Sequence, residues 1–312
     1  MLAASVSVFF RFDPFASMTS WLSSDAGESL PHYPADVRTT SVEGHRIAFV
    51  DRGAGPVVLF VHGLGSNLSL WRSHLNALAE GRRVLALDLP GFGQSAKDDV
   101  PGSMAFFADI IAAFLDARGI ERVSLVGVSM GGQVAFTFAL RHPGRVRHLA
   151  AVSPAGIEDF SSSEASALKA LMTPEAIAAA NAAQVRQNVA LNFHQWSEEH
   201  AWLIEQRHAI AQRSDFSGYV AANAKSVAGM LDAPVRHRLG AVSAPVLLLF
   251  GASDQLIPNP YLHPQQKTAT VARAAETRLP HADVHLVQRA GHLMMLERPD
   301  VFRKRLRTFL NT

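Results

Sequence analysis

A strand-like run, a sharp turn and a helical pattern follow one another without a break in the middle of the chain. The apolar run at 123–126 leads into the pentapeptide Gly127-Val-Ser129-Met-Gly131, and a helical pattern begins at Gln133. Glycine has no Cβ, so the strand and the helix can approach closely while the turn exposes the serine hydroxyl. This context predicts a nucleophile elbow, with Ser129 as a nucleophile on a rigid support.

The rest of the chain alternates between strand-like and helical patterns. Continuous apolar runs occupy 57–62, 84–87, 123–126, 149–152, 246–250 and, more weakly, 284–287. Helical patterns occupy 68–79, 104–118, 133–141 and 301–310, and two short β-prone runs at 37–42 and 45–50 predict a hairpin. Buried strands that alternate with helices predict an α/β fold with a mainly parallel, doubly wound sheet.

The alternation is interrupted once, between residues 158 and 238, where helices are expected at 173–192, 197–213 and 218–230. An insertion between two sheet strands predicts a helical lid over the sheet edge where ligands bind in such folds. The predicted organisation is a peripheral N-terminal extension at 1–36, a first core part at 37–157, the lid at 158–238 and a second core part at 239–312.

Composition excludes several classes of function. The 312 residues include no cysteine, which rules out disulfides, thiolate zinc sites and a cysteine nucleophile. The 29 basic and 27 acidic residues nearly balance, so no nucleic-acid partner is expected. The apolar stretch at 2–10 lacks a basic leader and is too short to span a bilayer, and Met18 is an alternative start. We expect a cytoplasmic protein without stable membrane insertion, and the oligomeric state stays unknown.

A serine nucleophile needs an imidazole as general base and a carboxylate that orients the imidazole. Asp254 follows the strand-like run at 246–250, and His292 follows the last run in the same way. The order Ser129, Asp254, His292, each after a strand, predicts a catalytic triad at one edge of the sheet. Asp283 precedes its strand and is badly placed as an alternative acid.

Two backbone N–H groups are expected to hold the oxyanion of a tetrahedral intermediate. Met130 directly follows the nucleophile, and Leu64 lies in the loop after the run at 57–62. His62 is expected to support that loop, and Asp88 to hydrogen-bond backbone in a turn at the rim. Because protein groups fill every role, no metal and no other cofactor is expected.

The chain resembles the α/β-hydrolase superfamily of lipases, esterases and epoxide-hydrolase-like enzymes. The resemblance is carried by His62-Gly-Leu-Gly65, the segment 88–95, Gly127-Val-Ser129-Met-Gly131-Gly132, Asp254 ahead of Pro258, and Gly291-His292. It covers about 40–157 and 239–310. It implies a serine hydrolase, with a carboxylesterase for small to medium apolar esters as the leading hypothesis, acting through an acyl-enzyme.

Other members of the superfamily stay open as alternatives. Ser129 excludes only the epoxide hydrolases and haloalkane dehalogenases of the superfamily, which carry aspartate at the elbow. Hydrolases of C–C bonds in meta-cleavage products usually carry Asn where this chain has Val128, which weakens that alternative without removing it. Cofactor-free perhydrolases share the triad pattern, and a non-catalytic ligand receptor could keep the fold. For the substrate pocket, the expected contacts are Leu293, Phe160 and Trp196.

Overall fold

An eight-stranded sheet runs through the part of the chain that the computed structural model describes, residues 30–312. The strands are β1 (Arg38–Val42), β2 (His45–Arg52), β3 (Val57–Val61), β4 (Arg83–Leu87), β5 (Val123–Val128), β6 (Val146–Val152), β7 (Val246–Gly251) and β8 (Asp283–Val287). Their order across the sheet is β1-β2-β4-β3-β5-β6-β7-β8. Strands β1, β2 and β4 pair antiparallel, and all other pairs are parallel. The predicted α/β fold with a mainly parallel sheet is confirmed.

Helices cover both faces of the sheet. Outside the β6–β7 connection they are α1 (Arg72–Ala79), α2 (Met104–Asp116), α3 (Met130–Arg141), α9 (Thr268–Arg278), α10 (Met294–Glu297) and α11 (Pro299–Phe309). Side chains alternate along β3: Leu59 and Val61 join the core under α2, α3 and α9, whereas Val58 and Phe60 join the core under α1 and α11. The apolar run therefore fills two cores, as expected for a strand that is buried on both faces.

The connection between β6 and β7, residues 153–245, contains five α-helices. They are α4 (Ser162–Leu171), α5 (Pro174–Ala178), α6 (Ala182–Ala190), α7 (Trp202–Ala211) and α8 (Phe216–Asp232). The single helix expected at 173–192 is broken, because Asn181 caps a new helix together with Gln184. Within residues 30–312, no helix has both the length and the hydropathy to cross a membrane.

The end of the expected N-terminal extension packs into the described structure. Leu30 is only 4% exposed and joins the core below α2 and α3. The Tyr33 hydroxyl donates to Asp88 Oδ2 at 3.1 Å, and the carbonyl of Pro31 accepts from Gln206 Nε2 at 2.6 Å. The packing of residues 30–33 differs from the peripheral role expected for residues 1–36. Residues 1–29 lie outside the described part of the chain, and so does Met18, the alternative start.

Candidate active site

Ser129 lies in the tight turn between β5 and α3. Its backbone has φ 54° and ψ −120°, a conformation that costs free energy for a residue with a Cβ. The turn is fixed on both sides, since Ser129 N–H donates to Val152 O at 2.9 Å and Ser129 O accepts from Gly132 N–H at 2.9 Å. The half-buried Ser129 side chain lines two neighbouring cavities.

Gly131 allows the close packing on which this turn depends. A Cβ at Gly131 would lie 2.4 Å from the carbonyl oxygens of both Val61 and His62, which are backbone atoms of β3 and its following loop. We expect Gly131→Ala to lower the free energy of unfolding by about 1–3 kcal/mol, which is the usual cost of overpacking. Urea denaturation measures this. Gly144→Ala is the matched control, since a Cβ there would meet no atom within 4 Å, and equal stability of the two variants would contradict the argument.

His292 and Asp254 meet beside the elbow. His292 Nδ1 lies 2.9 Å from Asp254 Oδ2, while Asp254 Oδ1 accepts from the N–H groups of Leu256 at 2.8 Å and Ile257 at 3.0 Å. Because the carboxylate faces Nδ1, the proton of a neutral imidazole lies on Nδ1 and Nε2 is left as the basic nitrogen. The imidazole of His292 lines the same two cavities as Ser129.

The surroundings of Asp254 favour its charged form. Its side chain has no exposed surface, and burial alone would raise the pKa of the carboxyl group. The charge of His292 and the hydrogen bonds from His292, Leu256 and Ile257 outweigh that burial, and the pKa lies below its ordinary value. Asp254 is therefore a carboxylate at neutral pH.

The loop after β3 brings its backbone close to Ser129. A Cβ at Gly63 would lie 3.3 Å from Ser129 Cβ. Ser66 N–H donates to Gly63 O at 3.2 Å, so Leu64 and Gly65 are the central residues of a turn. Gly65 has φ 63°, which glycine adopts without strain. Met130 is the first residue of α3, so its N–H has no acceptor within the helix.

His62 links the Leu64 loop to the loop after β4. It is fully buried, and its Nδ1 lies 2.8 Å from Gly63 O while its Nε2 accepts from Leu89 N–H at 3.0 Å. Burial lowers the pKa of His62 to about 4, so the ring is neutral at pH 7 and donates through Nδ1. His62 therefore holds the loop in place, as the sequence predicts.

Removing the His62 ring should weaken both folding and activity. His62→Ala leaves the buried Leu89 N–H without its acceptor, which costs about 1–3 kcal/mol, and frees the loop that carries Leu64. We expect a lower urea midpoint and a lower kcat. The exposed His281 supplies the control variant His281→Ala. A His62→Ala protein with unchanged midpoint and kcat would show that the ring does not hold the loop.

Asp88 is fully buried and joins its own loop to the loop after β3 and to the segment before β1. Oδ1 accepts from Leu68 N–H at 2.6 Å, and Oδ2 accepts from Gln94 N–H at 2.7 Å and from the Tyr33 hydroxyl. Burial raises the pKa of Asp88 to about 6. The expected role in bonding backbone is confirmed.

Two cavities meet at Ser129 and His292. The first, about 290 Å³, extends past the Leu64 loop to α7, and we call it the Arg207 arm. The second, about 270 Å³, extends along α8 and the start of the β6–β7 connection, and we call it the Glu158 arm. Both arms also share the side chains Leu64, Met172 and Leu256.

The three expected substrate contacts have different positions. Leu293 lines the Arg207 arm, and Phe160 lines the Glu158 arm, where it stacks on His263 with 5.4 Å between ring centroids. Trp196 lines neither arm: its Nε1–H donates to Glu198 Oε1 at 2.8 Å, and its ring packs on Phe193.

Sequence reasoning missed Arg207 and Glu158. A sequence signal existed for the first, because four residues of α7 that line the Arg207 arm have the spacing of one helix face: Leu203, Gln206, Arg207 and Ile210.

Known proteins with related sequences and structures define the class. Residues 56–299 match the family described as the alpha/beta hydrolase fold. The match covers most of the chain and includes the elbow, the Leu64 loop and the loops of Asp254 and His292. The chain therefore belongs to the α/β hydrolase fold family, and this fold together with relatives that are named hydrolases supports a hydrolase.

Individual relatives differ in their named activities. The chain is 29% identical over 303 residues to the dihydrolipoyllysine-residue acetyltransferase component of the acetoin cleaving system of Cupriavidus necator, an alignment that covers 96% of this chain and 75% of that protein. It is 29% identical to a 2-hydroxy-6-oxononadienedioate/2-hydroxy-6-oxononatrienedioate hydrolase of Paraburkholderia phymatum, over 85% of this chain and 91% of that enzyme. A probable hydrolytic enzyme of Pseudomonas aeruginosa has a similar structure, with a TM-score of 0.77, 25% identity, and coverage of 90% of this chain and 95% of that one.

Proposed function

We propose that this α/β hydrolase is a serine carboxylesterase that cleaves small to medium esters with an apolar group through an acyl-enzyme. The observation that carries the proposal is the 2.9 Å contact between His292 Nδ1 and Asp254 Oδ2, beside a serine with φ 54° on a cavity that His292 also lines. This combination supplies a base, its orienting carboxylate and a nucleophile at one point.

In the proposed reaction, Ser129 Oγ attacks the ester carbonyl and its proton passes to His292 Nε2. The N–H groups of Leu64 and Met130 stabilise the negative oxygen of the tetrahedral intermediate. The protonated His292 then donates to the leaving alcohol, which departs and leaves an acyl-Ser129 ester. Water, deprotonated by His292, attacks that ester, and His292 returns the proton to Ser129 Oγ as the acid is released. Asp254 stabilises the imidazolium in both halves.

The β6–β7 connection supports the choice of an apolar ester. Apolar side chains of this connection line the Glu158 arm: Phe160 ahead of α4, Leu168 of α4, and Val227, Met230 and Leu231 of α8. A mostly apolar cavity with a polar reacting centre binds an apolar group next to the bond that is cleaved. We therefore propose that this connection acts as a lid and selects the substrate.

A chain-length series tests the proposal. We expect p-nitrophenyl acetate, butyrate, hexanoate and octanoate to be hydrolysed, with kcat/KM greatest at short or medium length because the Glu158 arm holds only about 270 Å³. Stopped-flow mixing should show a burst of p-nitrophenol when deacylation is the slow step. Absence of turnover across the whole series would contradict the esterase proposal.

A C–C bond hydrolase is the second candidate, and the Paraburkholderia phymatum relative favours it, since the alignment covers 91% of that enzyme. A yellow dienone ring-fission product discriminates the two, because its colour disappears on cleavage. Dienone turnover with a kcat/KM far above that of every ester would replace the esterase proposal. Peroxide-dependent turnover would indicate a perhydrolase, and tight ligand retention without turnover would indicate a receptor.

A further inference from the structure

The two arms of the cleft carry opposite charge. Among the described residues that line the Arg207 arm, two have titratable side chains, Arg207 and His292. The Glu158 arm is lined by two carboxylates, Glu158 and Asp159. A substrate that spans Ser129 therefore meets a cation on one side and two acidic groups on the other.

Arg207 has spare hydrogen-bonding capacity. Within residues 30–312, no carboxylate lies within 4.0 Å of its guanidinium, and its only side-chain hydrogen bond is from Nη1 to the Tyr219 hydroxyl. Tyr219 in turn donates to Gly65 O at 2.9 Å, and a Cβ at Gly65 would lie 2.9 Å from Arg207 Nη2. The guanidinium is therefore held against the turn that contains Leu64, with N–H groups left to bind a ligand in the arm.

The other arm offers an acidic substrate group no basic partner apart from His292 among the described residues that line it. Glu158 is 8% exposed, accepts from Asn259 N–H at 2.7 Å, and lies 2.5 Å from His263 Nδ1. Asp159 pairs with Arg236. These partners hold Glu158 buried against an otherwise mainly apolar cavity, whereas the side chain of Asp159 is 67% exposed. An acidic substrate group is unfavourable there and favourable at Arg207, so the charges also set the direction in which a substrate binds.

We propose that Arg207 binds a carboxylate of the substrate, so that the ester or lactone carries an acidic group in the Arg207 arm and an apolar group in the Glu158 arm. The planar guanidinium matches a carboxylate through paired N–H donors. A single cation in the arm suits a monoanion better than a phosphate dianion. This substrate class rests on the proposed function, and it adds a specificity-determining residue to it.

Matched ester pairs test the proposal. Mono-p-nitrophenyl succinate, glutarate and adipate each differ from p-nitrophenyl butyrate, valerate and hexanoate by a terminal carboxylate in place of a methyl group. A second pair, 4-acetoxybenzoate and its methyl ester, carries the charge on the alcohol side. The measured quantity is the ratio of kcat/KM for the acid to kcat/KM for the neutral ester, in which losses common to both substrates cancel.

We expect the acid-to-neutral ratio to exceed one for at least one pair in the wild type. In Arg207→Met that ratio should fall about tenfold or more, which is the effect expected from the loss of one charge-assisted hydrogen bond. Arg207→Lys should keep part of the preference, because it keeps the charge but not the paired donors. Arg186→Met is the control: Arg186 is exposed and pairs with Glu198 outside both arms, and its ratio should equal that of the wild type. A wild-type ratio below one for every pair, or an unchanged ratio in Arg207→Met, would overturn the proposal.

Binding to an inactive variant separates this proposal from the proposed function. On Ser129→Ala protein, calorimetry should give a lower Kd for monomethyl glutarate than for methyl valerate, and Arg207→Met in that background should remove the difference. If the wild type hydrolyses no ester but this difference is present, the esterase proposal fails and the carboxylate site stands. If neutral esters are hydrolysed and the two Kd values are equal, the esterase proposal stands and the carboxylate site fails.

Discussion

Replacing Ser129 with alanine should lower kcat for p-nitrophenyl butyrate about a millionfold, as loss of the nucleophile does in serine hydrolases of known mechanism. The physical reason is that the alanine side chain has no atom to form the acyl-enzyme, while His292 and Asp254 stay in place. Ester hydrolysis in a pH-stat or by p-nitrophenol absorbance measures the loss. The urea midpoint should not fall, because the Ser129 side chain makes no hydrogen bond to another of the described residues that folding would lose.

Ser153→Ala is the matched control for this variant. Ser153 also has a positive φ, 41°, and follows the neighbouring strand β6, but it is fully buried and lines neither arm of the cleft. We expect this control to keep its esterase activity. A Ser129→Ala protein that hydrolysed the ester within tenfold of the wild-type rate would refute the proposed mechanism.

The second large effect is expected from Asp254→Asn, with a loss of about ten-thousandfold in kcat. Asparagine keeps the shape and can keep the two hydrogen bonds from Leu256 and Ile257 through Oδ1. Its amide then faces His292 Nδ1 with a donor, which places the imidazole proton on Nε2 and removes the base. The fold should remain intact, so the loss appears in kcat and not in the urea midpoint.

Two further variants make the Asp254 experiment specific. Asp283→Asn changes an exposed carboxylate at the start of β8, and we expect near wild-type activity. Combining Asp254→Asn with Ser129→Ala should give little loss beyond Ser129→Ala alone, because residues that act as one unit are not additive. Fully multiplicative losses would argue that Asp254 acts independently of the serine.

Much of the fold follows from local sequence patterns. The elbow could be predicted because a glycine-flanked Ser129 joins an apolar strand to a helix, and Asp254 and His292 because each follows a strand-like run. Parallel strands carry their following loops to one edge of a sheet, so positions far apart in sequence become neighbours. The 2.9 Å contact of His292 with Asp254 is the outcome that this geometry leads one to expect.

The cleft walls were less predictable, because a helix face that lines a cavity has the same periodicity as one that packs in a core. The only sequence signal for the α7 face with Arg207 is therefore the spacing of its four cavity-lining residues along one side of the helix, which a face packed in a core would share. Trp196 was expected in the pocket on its aromatic character, yet it packs among Phe193 and neighbouring side chains of the same connection. The break at Asn181 was missed because an alanine-rich stretch masks a capping residue.

Covalent labelling tests the central proposal most directly. A fluorophosphonate mimics the carbonyl that Ser129 attacks, so the wild-type protein should lose activity and gain one phosphonyl group. Tandem mass spectrometry of the digested protein should locate the group on Ser129, with labelling much slowed in Asp254→Asn. An adduct on another residue, or full inhibition with Ser129 unmodified, would contradict the account of Ser129 as the nucleophile.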